Sequence, residues 1–479
     1  MNLGMIRYII GWVIELEALF MSIPCVCALV YKEKNTGLAF LITAIVALVI
    51  GLLLTRKKPQ NQQFFSKEGF TVVGLSWIVM SLIGAVPMYI SGQIPSFIDA
   101  LFEMVSGFTT TGSSIVRDVE ALDSSINLWR CFSHWIGGMG VFVFLMAILP
   151  MAGGDNNHLM RAESPGPSVG KLVPKMRDSS KILYIIYFVL TFVCFLCLIF
   201  AKMPVFDSLC TAFGTAGTGG FGIKGDSLAG YSSSIQWIVT IFMILFGVNF
   251  NFYFFLLGKN KLQAFKMEEV KTYFLVIFAA IAIIVLNIYS AYSAIEHAVR
   301  DAAFSVGSVI TTTGFATADF NLWPSNAKVV LIMLMFVGAC AGSTGGGIKV
   351  SRFIILGRVI KEEIVTFIHP RSVKSIKMDG KAIDRSVINA VLRFFGLYIF
   401  IFAASVFVIS LNGYDLITTF TSVAATFNNI GPGLEICGPT GNFASFSILS
   451  KLVFIFDMLA GRLELYPIII LLYPKLWKK

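Results

Sequence analysis

Thr109-Thr110-Thr111-Gly112, Ala216-Gly217-Thr218-Gly219, Thr311-Thr312-Thr313-Gly314 and Asn428-Asn429-Ile430-Gly431 each close a short amphipathic segment, and each is flanked by apolar segments long enough to cross a bilayer. A single turn of this kind reads as a loop. Four copies of span, short helix, glycine turn and span at matching places in one chain read as a repeat that closes around an axis, the architecture of a cation pore.

Composition supports a membrane setting. Hydrophobic residues make up 56% of the 479 positions and charged residues 13%, more apolar surface than a soluble domain can bury. The net charge of +10 is no footprint of nucleic acid, because Lys and Arg fall in the short connections between apolar segments. Of the eight cysteines, Cys25, Cys27, Cys194, Cys197 and Cys340 lie within apolar segments and read as small hydrophobes. Cys194 and Cys197 form a CxxC, but no second pair or nearby His completes a metal site. Glu15 and Glu17 within the first apolar segment argue against a signal peptide.

Ten apolar segments are predicted to cross, at about 7 to 31, 38 to 55, 70 to 92, 127 to 150, 180 to 202, 232 to 258, 270 to 290, 326 to 357, 388 to 411 and 445 to 473. Between them, segments 97 to 109, 205 to 216, 298 to 311 and 414 to 427 are too short to cross and too apolar to be free loops, as re-entrant helices are. The expected organisation is two accessory helices in 1–68 and pore repeats in 69–160, 161–268, 269–385 and 386–479. Basic residues such as Lys57, Lys58, Lys175, Arg177, Lys266, Lys271, Arg358, Lys361, Arg371 and Lys478 fall on one side, which reads as the cytoplasm. All four glycine turns then face outside, so the repeats are parallel. The predicted fold is an all-α integral membrane protein with four parallel repeats around a pseudo-fourfold pore, plus two N-terminal spans.

Asp99, Asp207, Asp301 and Asp415 are expected to open the re-entrant helices, where a carboxylate satisfies free amides and suits the dipole. The helices then aim their negative ends at the bilayer centre. Past each helix the chain must turn its carbonyls inward through positive φ, which glycine adopts without steric cost. Candidate cation ligands are therefore Thr110, Thr111 and Gly112; Gly217, Thr218 and Gly219; Thr312, Thr313 and Gly314; and Asn429, Ile430 and Gly431. The string Gly214 to Gly222 also has spacings of a dinucleotide fingerprint, without the strand that motif requires.

The eighth apolar segment breaks its own pattern at Gly338-Ala339-Cys340-Ala341-Gly342-Ser343-Thr344-Gly345-Gly346-Gly347, too glycine-rich to stay helical. Backbone of that kind at membrane depth survives only where protein buries it or water reaches it, so it should line the cavity beneath the filter; close helix packing through small residues is the alternative. Lys349 mimics a phosphate-loop lysine, but Ile348 separates it from the last glycine. Arg462, inside the tenth segment, needs partners at that depth: the loose carbonyls of the glycine stretch, or Asp457 or Glu464. Glu103, in the first re-entrant helix, is read as bonding nearby amides or adding negative potential, and no partner is evident for Glu15 or Glu17.

The four turns, together with His134-Trp135-Ile136-Gly137-Gly138-Met139-Gly140, Glu163-Ser164-Pro165-Gly166-Pro167, Ala341-Gly342-Ser343-Thr344-Gly345-Gly346-Gly347 and Gly461-Arg462-Leu463-Glu464, give a chain that resembles the TrkH family of the TrkH/KtrB/HKT superfamily of potassium transporters. The resemblance covers essentially the whole chain. It implies potassium (K+) as the transported ion, with glycine in all four turns going with potassium selectivity. It also implies a bacterial cytoplasmic (inner) membrane location and a gate made of Gly342, Ser343, Thr344, Gly345, Gly346 and Gly347 with Arg462. Family members are homodimers docked to a cytosolic ring of TrkA-type nucleotide-binding regulatory subunits. The connections 152 to 179 and 352 to 387 are candidates for that docking, or for contact with anionic membrane lipids. No organic cofactor is expected in this chain. Proton- or sodium-coupled symport through Glu103 or Asp457, and less selective K+/Na+ permeation, stand as alternatives. An enzyme is not expected, because the four histidines do not cluster and no nucleophile and base pair is visible.

Overall fold

A computed structural model describes residues 1–61, 65–140, 176–258, 261–370 and 375–476. The helices in chain order are α1 (Leu3–Phe20), α2 (Ser22–Tyr31), α3 (Lys34–Thr55), α4 (Ser66–Ile90), α5 (Phe97–Phe108), α6 (Ser124–Gly138), α7 (Met176–Phe200), α8 (Val205–Gly217), α9 (Ser233–Phe246), α10 (Phe250–Leu257), α11 (Glu268–Ile288), α12 (Ile295–Ile310), α13 (Ser325–Val337), α14 (Val350–Ile368), α15 (Arg385–Ser410), α16 (Leu416–Phe427), α17 (Ile448–Arg462) and α18 (Tyr466–Leu472), besides one helical turn before α11. The strands are β1 (Lys377–Met378) and β2 (Lys381–Ala382), an antiparallel hairpin between α14 and α15.

Each repeat places a long outer helix, α4, α7, α11 or α15, before a short one, α5, α8, α12 or α16, and a second crossing segment after it. The second segment of each repeat packs on the short helix of the next: α6 on α8, α9 on α12, α13 on α16, and α17 back on α5. The ring therefore closes. The outer helices turn apolar side chains such as Phe188, Phe278 and Phe407 outward, as a lipid-facing surface requires. α1 packs on α3 and α4 and α2 on α6, so the accessory helices brace the first repeat, and α18 of the fourth repeat packs on α4 as well.

Among the described residues six segments are long and apolar enough to cross a membrane, Leu3–Tyr31, Lys34–Thr55, Ser66–Ile90, Lys181–Phe200, Glu268–Ala291 and Arg385–Ser410, with a seventh if the pair Ser233–Phe246 and Phe250–Leu257, bent by 90°, is counted as one. The sequence leads one to expect ten crossings with a single interruption. Instead the second crossing segment breaks in repeats two, three and four, at 247–249, 338–349 and 463–465. The first repeat's α6 ends at Gly138, and the rest of its expected span, with Glu163 to Pro167, lies outside the described residues. The break in repeat two is held by polar groups of its own segment and of α11, which hydropathy does not weigh. The Tyr253 and Tyr273 hydroxyls donate to the Leu245 and Ile244 carbonyls at 2.6 and 3.1 Å, and the Asn249 side chain caps α10 by accepting from the N–H of Asn251.

Candidate functional site

All four short helices end the same way. A left-handed residue stands just past the end of each helix, Thr110 (φ 55°), Thr312 (φ 58°) and Asn429 (φ 56°) one beyond the cap and Thr218 (φ 53°) as the cap itself. Its N–H donates to the carbonyl three residues back, and the next N–H donates five residues back: Thr111 to Ser106, Gly219 to Gly214, Thr313 to Ser308 and Ile430 to Ala425. This double bond pattern is the Schellman motif, which satisfies the last carbonyls of a helix. Two residues past each left-handed residue stands a second positive φ, at Gly112, Gly220, Gly314 and Gly431.

This alignment shifts the second turn by one residue. Gly217, Thr218 and Gly219 lie in the turn, but the glycine equivalent to Gly112 is Gly220, not Gly219. Asp99 to Gly112, Asp207 to Gly220 and Asp301 to Gly314 then share one spacing. The aspartates do not all open their helices. Asp415 is the N-cap of α16, accepting from the N–H of Thr418 at 3.0 Å; Asp99 and Asp207 lie in the first turns of α5 and α8 behind the caps Ser96 and Pro204. Asp301 lies deeper, because α12 begins at Ile295.

The turns close a ring of their own. A methyl group on Gly112 would collide with the carbonyl oxygen of Gly219, one on Gly220 with that of Thr313, one on Gly314 with that of Ile430, and one on Gly431 with that of Thr111. Each glycine thus meets the same carbonyl of the next turn, in the order one, two, three, four, one. Only a residue without a Cβ can make this approach at positive φ.

The fourth turn keeps the backbone geometry without threonines, since Asn tolerates the left-handed region. Asn429 Nδ2 donates to the Thr111 hydroxyl and to the Met458 carbonyl, both at 2.9 Å; Asn428 Oδ1 accepts from the Tyr398 hydroxyl at 2.8 Å. In turns one and three, paired hydroxyls do related work, Thr109 with Thr111 at 2.8 Å and Thr311 with Thr313 at 2.7 Å.

Behind the first turn, Glu103 of α5 and Arg130 of α6 form a buried pair at 2.8 Å. Glu103 also accepts from the Ser114 hydroxyl and the Ile115 N–H, both at 2.9 Å, and Arg130 lies 4.3 Å over the Phe221 ring. His134 joins the first and second turns: its Nε2 accepts from the Phe221 N–H, so Nδ1 carries the proton and donates to the Gly107 carbonyl at 2.8 Å. Glu103 is thereby engaged by a cation that sequence reading misses. Its signal is a lone Arg inside an apolar stretch that already holds an unmatched acid. Glu15 accepts from the Thr55 hydroxyl at 2.5 Å, whereas Glu17 is buried with neither oxygen bonded among the described residues.

The glycine loop 338–349 touches the third and fourth turns. Gly346 N–H donates to the Thr312 hydroxyl at 2.6 Å and Gly347 N–H to the Asn428 carbonyl at 3.1 Å. Arg462 donates to the Thr344 carbonyl at 2.8 Å and to the carbonyls of Gly137 and Gly138 at 2.5 and 2.9 Å, so the end of α17 spans the loop and the end of α6. The acids expected as its alternative partners are held elsewhere: Asp457 accepts from the Ser405 hydroxyl at 2.7 Å, and Glu464 pairs with Arg352. Lys349, the lysine that resembled a phosphate ligand, turns its ammonium onto the Gly345 carbonyl. Ser343 bonds within the loop to the Cys340 carbonyl at 2.6 Å, and Gly342 O accepts from the Phe250 N–H at 3.0 Å.

Four equivalent helix ends converging on one ring of carbonyls, in a fold of membrane-length helices, define a membrane transport protein with a fourfold internal repeat. The comparisons agree and sharpen this: the family model TrkH, a cation transport protein, matches residues 36–479. The chain is 36% identical to the Trk system potassium uptake protein TrkH of Escherichia coli (strain K12) over 488 aligned residues, all of both chains. It is 34% identical to TrkG of the same strain over all of this chain and 99% of that one. The crystal structure of the potassium transporter TrkH from Vibrio parahaemolyticus superposes with a TM-score of 0.89 at 32% identity, covering 100% of each chain. This chain belongs to the TrkH family of cation transport proteins.

Proposed function

We propose that this chain takes up potassium across the bacterial cytoplasmic membrane through the ring of four turns, with the glycine loop as its gate. The observation that carries this reading is the closed ring, in which Gly112, Gly220, Gly314 and Gly431 each meet a carbonyl of the next turn. Inward carbonyls of such a ring can replace the hydration shell of a monovalent cation, and the C-terminal ends of four short helices add negative potential below it. The names of the relatives, potassium uptake proteins of the Trk system, support potassium as the cargo.

In this reading Thr110, Thr111 and Gly112, Gly217 to Gly220, Thr312 to Gly314, and Asn429 to Gly431 form the filter, facing outside. Residues 1–68 are accessory, and the repeats are 69–160, 161–268, 269–385 and 386–479. Residues 342–347 block the path beneath, latched by the bond from Arg462 to Thr344. The basic connections face the cytoplasm and meet lipid and TrkA-type nucleotide-binding subunits, with the chain acting as a homodimer. Transport needs no enzymatic step and no organic cofactor here.

The test is flux of potassium, rubidium and sodium into proteoliposomes holding the wild type, Gly314→Ser or Arg462→Ala. Selective potassium and rubidium flux, degraded in Gly314→Ser and raised in Arg462→Ala, is the expected result. Equal sodium flux in the wild type would refute the filter, and unchanged flux in Arg462→Ala would refute the latch. Repeating the assay against imposed proton or sodium gradients separates passive uptake from coupled symport.

A further inference from the structure

Glu269, in the first turn of α11, is only 3% exposed although it sits in the charged string Lys266-Met267-Glu268-Glu269-Val270-Lys271. Its Oε1 accepts the N–H of Ala341 at 2.7 Å and that of Ser351 at 3.2 Å, and its Oε2 accepts from Asn249 Nδ2 at 3.4 Å. Ala341 lies in the glycine loop, Ser351 in the first turn of α14 just past the loop, and Asn249 at the break in repeat two. That break docks on the loop by itself as well, through Cys340 N–H to Gly247 O at 3.1 Å and Phe250 N–H to Gly342 O at 3.0 Å. One carboxylate therefore gathers the loop, the helix that follows it and the broken segment beside it.

The adjoining residue faces the other way. The Glu268 N–H donates to Asp379 Oδ1 at 2.8 Å, and the Glu268 carboxylate pairs with Arg358 at 2.5 Å, while Arg358 also donates to the Lys377 carbonyl. Lys377 and Asp379 belong to the exposed β1–β2 hairpin. The first turn of α11 thus holds the loop with Glu269 and the hairpin with Glu268.

We propose that Glu269 is a positioning residue of the glycine loop, and that the first turn of α11 relays the position of the hairpin 375–383 to it. The inference rests on the reading of the loop as a gate. A load applied to the hairpin from the basic side of the protein would move Glu268, and with it the carboxylate that keeps the loop under the third and fourth turns. Loss of that carboxylate leaves the Ala341 and Ser351 amides without their acceptor and frees the loop, whereas a merely structural residue would lower flux when removed.

The experiment measures rubidium flux in proteoliposomes for full-length Glu269→Ala, Glu269→Gln, Arg358→Ala and Asp379→Ala beside Arg462→Ala, each checked for a monodisperse elution profile. Glu269→Ala is expected to raise flux about fivefold, the shift that loss of one net hydrogen bond produces in a two-state gate. Glu269→Gln keeps one acceptor oxygen and should fall between Ala and the wild type; it carries the test if the Ala variant does not fold. Arg358→Ala and Asp379→Ala should raise flux in the same direction. Raised flux in Arg462→Ala with wild-type or lower flux in both Glu269 variants overturns the positioning role alone. Raised flux in the Glu269 variants with no change in either hairpin variant overturns the relay. No rise in any variant, Arg462→Ala included, overturns the gate reading and this inference with it.

Discussion

Gly346 donates its main-chain N–H to the hydroxyl of Thr312 at 2.6 Å, so the glycine loop is bonded to the left-handed residue of the third turn. The equivalent hydroxyl in the first turn, that of Thr110, is buried with no hydrogen-bond partner among the described residues. The fourfold repeat is thus broken where the loop enters. In the reading proposed here, filter and gate are in direct contact.

Thr312→Val removes the acceptor of a buried N–H and should destabilise by about 1–3 kcal/mol. Thr110→Val removes a hydroxyl with no partner among the described residues and should be neutral within about 0.5 kcal/mol. Thermal unfolding in detergent, run on both, checks the difference; equal melting temperatures would remove the Gly346 bond from the account.

Gly112→Ala adds a methyl group against the Gly219 carbonyl at a φ of 81°. The left-handed strain alone is about 1–2 kcal/mol, and the collision must displace the neighbouring turn. Potassium flux should fall to background while the protein remains folded, as judged by circular dichroism. Retained flux would show that the first turn yields without consequence.

Glu103 and Arg130 are 0% and 1% exposed, so removing either leaves a buried charge at a cost of about 3–5 kcal/mol. Glu103→Gln and Arg130→Met singly should each lower the melting temperature, and the double variant should recover much of the loss. A double-mutant cycle measures this. Additive losses would mean the two groups act separately.

Asn429→Gly keeps the left-handed backbone but deletes the amide bonds to Thr111 and Met458. The loss should be about 1–3 kcal/mol in stability, with potassium over sodium preference weakened in the flux assay. Unchanged selectivity would show that the fourth turn holds its shape by backbone bonds alone.

Sequence alone determined whatever is encoded within a few residues or by simple periodicity. The apolar segments, the four short helices, their glycine turns and the glycine loop are all legible, because helix termination and positive φ depend on neighbours along the chain. The parallel repeat followed from charge placement and from counting.

The tertiary structure decided what depends on partners far away in the chain. The register of the second turn, with Gly220 rather than Gly219 beside the Thr313 carbonyl, is set by approach across the ring. The breaks near Gly247 and Leu463 lie in apolar stretches that hydropathy reads as continuous, and the first persists because the Tyr273 hydroxyl and the Cys340 N–H, from other segments, take up the Ile244 and Gly247 carbonyls. Arg130 met Glu103, and Glu269 met Ala341, only once the helices had packed, since a buried charge declares its partner through three-dimensional proximity and not through spacing.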